Sequence, residues 1–199
     1  MLLLLLAARA TPAICTSTED CLHAIEAAQR DTRTVSAEFA QTKHLTLLDE
    51  PLVSTGRLLL KRPDRILLRI ETPRPTTVLV RGHEVYIPDV PEHERQALAL
   101  SPVATMFSEL GAIFSGSVTA LEKNFEVFAT ADPTGVRVHL VPRQESWKQM
   151  YRSIDIRFGG PQLVIQEIHL DDTLGDSLDI TLQHVQRNID IADAVFDAR

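Results

Sequence analysis

Along the chain, apolar positions recur first at helical spacing and then at every second residue. Leu22, Ile25 and Ala28 share one face of a 3.6-residue repeat. Thr16, Ser17 and Thr18 precede them as helix caps, and Glu19 and Asp20 occupy a favourable first turn. This predicts an amphipathic helix over residues 18–30, ended by Asp31 and Thr32. From there the period falls to two. Val35, Ala37, Phe39 and Gln41 alternate with Ser36, Glu38 and Ala40. Leu58 and Leu60 alternate with Arg57, Leu59 and Lys61, and Ile66, Leu68 and Ile70 with Arg65, Leu67, Arg69 and Glu71. Val78 and Val80 lead through Arg81-Gly82 to Val85 and Ile87, which reads as a hairpin. Each strand is expected to turn one face to the interior and one to water, as antiparallel sheets do.

One helical segment interrupts the strands. Ser101 suits an N-cap, Pro102 the first helical position and Gly111 the C-terminal turn. Between them Val103, Met106, Phe107 and Leu110 form one apolar face. Strand patterns then return with Phe125 and Val127, a turn at residues 132–135, and Val136, Val138 and Leu140. Ile154, Ile156 and Phe158 follow, then the Gly159-Gly160 turn, Leu163 and Ile165, a polar turn over 171–176, and Leu178, Ile180 and Leu182. No repeat or linker divides the chain, so one sheet-dominated domain over 14–199 is expected.

Composition narrows the function. With 44% hydrophobic and 24% charged residues, the chain is that of an ordinary globular protein. Its net charge of -7, with basic residues spread along the chain, argues against a nucleic-acid partner. An acidic surface is also repelled by anionic headgroups, so dealings with membranes are expected through a delivered ligand. Residues 1–13, MLLLLLAARATPA, pair an apolar run too short to span a bilayer with small residues suited to cleavage. They read as a signal peptide without the usual positive start, and they imply export. The two cysteines, Cys15 and Cys21, can then pair, tying the N-terminal arm to the first helix. Lipidation of Cys15 is the alternative, though Ile14 is bulky for it.

Catalytic motifs are absent: there is no G-x-S-x-G, P-loop, G-x-G-x-x-G or H-E-x-x-H. The seven histidines show no close ligand spacing, and Glu92-His93-Glu94 reads as a solvated loop. Asp171 and Asp172 are adjacent, so their carboxylates point apart. No enzyme, metal or cofactor is expected. What remains is the apolar faces. A strongly curved antiparallel sheet with two helices can enclose an interior bordered by Leu58, Leu60, Ile66, Leu68, Ile70, Val78, Val80, Met106 and Phe107, with Leu110 on the same helix face. The same pattern serves a packed core and a ligand cavity equally well.

Several segments carry a resemblance: Phe39-Ala40-Gln41-Thr42-Lys43, Pro51-Leu52 through Ser54 to Gly56, and Lys61-Arg62-Pro63-Asp64-Arg65. Thr72-Pro73 to Pro75, Arg81-Gly82, Pro88, Ser101-Pro102 and the tail from Asn188 to Phe196 continue it in order. From about residue 22 onward the chain resembles the LolA-like family of periplasmic lipoprotein carriers, in a divergent branch. The resemblance implies an incomplete, strongly curved antiparallel β-barrel, mainly β, around a few short helices, with an apolar cavity for acyl chains. It implies that Arg62 holds a helical lid, for which residues 101–111 are the candidate, and that the tail forms a closing strand. The implied partners are an acylated lipoprotein or lipid cargo, an inner-membrane donor and an outer-membrane acceptor, with the carrier a periplasmic monomer. The alternative use of such a cavity is a lipid-sensing module. Two departures leave the cargo less defined than the fold: Ile66-Leu67-Leu68 is aliphatic where carriers tend to be aromatic, and the chain stops at Arg199.

Overall fold

The computed structural model describes residues 14–82, 84–88 and 119–197. The expected signal peptide and the helix over 101–111, with Met106, Phe107 and Leu110, lie outside them. Helix α1 spans Thr18–Gln29, with the Ser17 hydroxyl as its cap, accepting from the Asp20 amide at 3.1 Å. Its Cys21, Leu22, Ile25 and Gln29 are buried. Cys15 and Cys21 are joined in a disulfide that ties the preceding arm to this helix.

Ten described strands form one antiparallel sheet. In chain order they are β1 (Thr34–His44), β2 (Leu52–Lys61), β3 (Arg65–Thr72), β4 (Thr76–Arg81), β5 (Glu84–Tyr86), β6 (Phe125–Asp132), β7 (Gly135–Pro142), β8 (Tyr151–Gly159), β9 (Val164–Asp172) and β10 (Ser177–Arg187). A 3₁₀ turn over Thr119–Lys123 precedes β6 and a short helix α2, Glu145–Lys148, precedes β8; periodicity predicted neither. The strand order is β5-β4-β3-β2-β1-β10-β9-β8-β7-β6. Sheet neighbours are thus consecutive in sequence except at the seam, where β1 pairs with β10, while the consecutive described strands β5 and β6 lie at opposite edges. There Phe39 faces Leu182, Gln41 faces Ile180 and Lys43 faces Leu178.

The sheet curls around the face that carries α1. One contiguous apolar cluster runs from Val78 and Val80 near one edge to Phe125 and Ala129 at the other, with Leu22 and Ile25 of α1 inside it. β5 and β6, the two outer strands, are not paired with each other, so the barrel is unclosed. Gly56 helps set the curvature. A Cβ there would lie 2.1 Å from the Arg69 carbonyl oxygen and 2.9 Å from the Phe39 ring. The register of β2 against β3 shifts at this same point, so a bulge and a close backbone approach coincide.

Two expectations need correction. The outer faces of β2, β3 and β4 are not wet throughout. Leu67 and Leu79 are 4% and 3% exposed, and they form a second cluster with Ile191 and Phe196, flanked by Leu59 and Ile189. The tail expected as a closing strand is also not a strand. Asn188 takes a φ of 56°, and the chain leaves the sheet to cross this outer face, ending in a 3₁₀ turn over Asp193–Phe196. The physical reason is the same in both cases. β2 and β3 carry leucines on both sides and β4 adds Leu79 on the outer one, and these outer leucines are covered where Ile189, Ile191 and Phe196 fold back over them. Lys61 and Arg65 each reach Asp193 at 2.8 Å, and Arg81 donates to the Phe196 carbonyl. The strand-closing role falls instead to β10, whose seam with β1 joins the two halves.

Candidate functional site

Cross-strand register assembles the inner face. Leu58, Leu68 and Val78 form one row with Ala37. Leu60, Ile66 and Val80 form the next with Val35. Ile70 stands opposite Gly56, which faces Phe39. All seven described candidates for a ligand cavity thus share one side of the sheet. They differ in depth: Leu58, Leu60, Ile66, Val78 and Val80 are buried, whereas Leu68 and Ile70 keep part of their surface open.

The open end continues across the seam. Leu178 and Ile180 of β10 lie on the same inner face and are likewise partly buried, packed against the main cluster. Leu52, which pairs with Lys43 at the rim, is half exposed. Alternation marks Leu178 and Ile180 as a strand, but only the long-range β1–β10 pairing joins them to Leu68 and Ile70. The result is an aliphatic surface, closed beneath α1 and increasingly open toward the Leu52 end.

Arg62 sits at the opposite end. Its guanidinium donates to the carbonyls of Gln29 at 3.1 Å and Arg30 at 3.4 Å, the last turn of α1. Those carbonyls have no partner within the helix, so the arginine caps it. Among the described residues the element Arg62 holds is therefore α1; the proposed lid over 101–111 lies outside them.

The outer face carries an arrangement that local spacing did not reveal. His139, Asp155, His169 and Asp179 are register partners on four successive strands, β7 to β10. His139 Nδ1 lies 3.1 Å from Asp155, and His169 Nδ1 lies 2.7 Å from Asp179. Asp171 approaches His169 from the other side, at 3.3 Å from Nε2. Asp172 points away and accepts the Leu174 and Asp176 amides, so the two adjacent aspartates have separate structural roles. Among the described residues no group of three or more His, Cys, Asp or Glu is placed to hold a metal ion, and Glu92-His93-Glu94 lies outside them.

The hydrogen bond to Asp179, then the charges of Asp179 and Asp171, raise the His169 pKa above its ordinary 6.5 against the opposing effect of burial. A raised folded-state value means stabilisation that is complete below the unfolded pKa and lost as pH rises through the folded one. His169→Gln is thus expected to cost stability at about pH 5.5 and little at about pH 8.5. Because the side chain is 39% exposed, the difference is small. Urea midpoints of both proteins across this range measure it; a constant difference would show that the pair does not titrate with folding.

The chain is similar to known proteins. The family described as outer membrane lipoprotein carrier protein LolA matches residues 30–199. The chain belongs to the LolA family. A curated relative, the outer-membrane lipoprotein carrier protein of Dechloromonas aromatica (strain RCB), is 27% identical over 168 residues, covering 84% of this chain and 77% of the relative. MucB, in the MucA/MucB complex structure from Pseudomonas aeruginosa, shares the fold at a TM-score of 0.53 and 12% identity. That match covers 92% of this chain and 61% of MucB. A LolA superfamily protein from Nitrosomonas europaea aligns at a TM-score of 0.48 and 10% identity, over 92% of this chain and 99% of that one. The LolA match begins at residue 30, so α1 precedes it, yet α1 packs into the same core. No described helix is long and apolar enough to cross a membrane.

Proposed function

We propose that this LolA-family protein is a non-enzymatic carrier in the periplasm that shelters the acyl chains of a lipoprotein or lipid against the inner face of its sheet. It receives them from an inner-membrane donor and passes them toward an outer-membrane acceptor, making and breaking no bond. One observation carries this reading. The aliphatic inner face is sealed at the α1 end and still partly open at Leu68, Ile70, Leu178 and Ile180.

The energetics suit the task. Sheltering hydrocarbon from water is worth about 0.8 kcal/mol per CH₂, so a chain of ~16 carbons needs on the order of 10 kcal/mol of cover. Aliphatic walls provide it without directional bonds, so cargo can be handed on. The candidate cavity residues are then Leu58, Leu60, Ile66, Leu68, Ile70, Val78 and Val80 together with Met106, Phe107 and Leu110. Arg62 is the residue that keeps the helical cover in place.

Leu68→Glu is expected to lower uptake of a fluorescent long-chain acyl probe by at least about tenfold, since a carboxylate in an apolar site is costly. Arg69→Gln, on the outer face of the same strand, should leave uptake unchanged. Equal losses from both changes, at equal folded fraction by circular dichroism, would count against the inner face as the binding surface.

A further inference from the structure

At the closed end of the sheet, arginines outnumber the carboxylates beside them. Val35 pairs with Leu60 on one side and with Arg187 on the other, and Arg62 follows Leu60 by two residues. Register therefore sets both arginines at the inner-face end of the barrel, below the last turn of α1. Among the described residues each donates only to backbone carbonyls, Arg62 to Gln29 and Arg30, and Arg187 to Gln162 at 3.5 Å. The Nε–H of each is buried without an acceptor. Between them Thr32, only 2% exposed, has a hydroxyl that is also unpartnered.

Thr32 lines two spaces at once. On one side is a polar cleft of about 810 Å³ whose walls include Arg30, Arg33 and Arg62 together with Asp31 and Asp190. On the other is a narrow crevice where Arg187 meets Val35, Ile165 and Leu182 of the apolar core. Lys61 also borders the cleft but is held by Asp193. Three guanidiniums thus line the cleft with two carboxylates, and a fourth, Arg187, lies on the other side of Thr32, a locally positive site on a chain of net charge -7. Burial, with Arg187 nearby, also pulls the Arg62 pKa below its ordinary value, as expected for a cation without a counter-charge.

Partly buried charges are ordinarily paired, and guanidiniums match phosphate oxygens through paired N–H donors. We infer that the cleft beside Arg62, Arg187 and Thr32 binds a phosphate-bearing anion. The anion faces Arg30, Arg33 and Arg62 in the cleft, and small movements of Arg62, Arg187 and Thr32 bring their buried, unpartnered donors onto it. Its sources are free inorganic phosphate or the phosphate of a lipid headgroup. This site stands apart from acyl carriage: it can bind an anion whether or not the inner face carries cargo.

The test titrates the full chain, at constant ionic strength, with inorganic phosphate and separately with dihexanoyl phosphatidylglycerol below its micelle concentration. Calorimetry and the thermal midpoint are both read. Saturable binding with a rising midpoint is expected for at least one of the two, and the one that binds identifies the source. Arg187→Gln should weaken binding by at least about tenfold. It should also raise the midpoint of the unliganded protein, because a like charge beside Arg62 is removed. The exposed Arg33→Gln should weaken binding several-fold without changing the unliganded midpoint, and Arg69→Gln should do neither. Failure of both ligands to bind the wild type would overturn the site, as would binding that Arg187→Gln and Arg33→Gln leave unchanged. Acyl-probe uptake is measured in parallel, so loss of carriage and loss of the anion site are read separately.

Discussion

Gly56→Ala is expected to cost about 3 kcal/mol or more of folding stability, a large share of the 5–15 kcal/mol typical of a domain. The added Cβ would sit 2.1 Å from the Arg69 carbonyl oxygen, which belongs to the backbone of the paired strand and cannot rotate away. It would also lie 2.9 Å from the Phe39 ring, which packs across the same point from β1. Relief requires β2 to separate from β3 where their register already shifts. That disturbs the row holding Ile70, so acyl-probe uptake should fall in whatever fraction still folds. Urea denaturation measures the first effect. Wild-type stability in this variant would mean that the two strands do not approach so closely.

Phe196→Ala is expected to cost about 3–5 kcal/mol, the range for emptying a large buried aromatic site. Phe196 is fully buried, though it lies three residues from the end of the chain. It anchors the segment that covers Leu67 and Leu79. Without it the Arg81 bonds to the Phe196 carbonyl and to Asp197 lose their fixed geometry, and the outer leucines of β2–β4 become wet. The variant should show increased binding of a hydrophobic dye and faster proteolysis near residue 190. Val195→Ala, at a side chain 40% exposed, is the control and should stay within about 0.5 kcal/mol of wild type. Similar losses from both would place the stabilisation in the backbone of the tail and not in the Phe196 side chain.

These two variants probe features of different legibility. The inner face of β1–β4 could be read from alternation, because a period of two fixes which side chains share a side once one of them is known to be buried. The resemblance carried by Phe39 to Lys43, Pro51 to Gly56 and Lys61 to Arg65 reached the right family and its unclosed barrel. Gly56 was visible as part of that motif, but its steric role was not: the crowding comes from Arg69, thirteen residues away and on another strand. The His139-Asp155-His169-Asp179 ladder was invisible to a search for close ligand spacing, since its members are ten or more residues apart and meet only through strand register. The paired cysteines were one of two open readings, and tertiary placement of the arm against α1 selected the disulfide.

By itself the sequence determined the strand content, the helix over 18–30 to within a residue of its end, and the aliphatic character of the inner face. Those properties follow from local backbone geometry, in which a side chain's direction depends on its immediate neighbours. Tertiary structure alone decided that β10 pairs with β1, that the tail covers the outer leucines, and that Arg62 meets α1 near Arg187. Each of these brings together residues far apart in the chain, and no local period encodes which distant apolar or charged surface will be its partner.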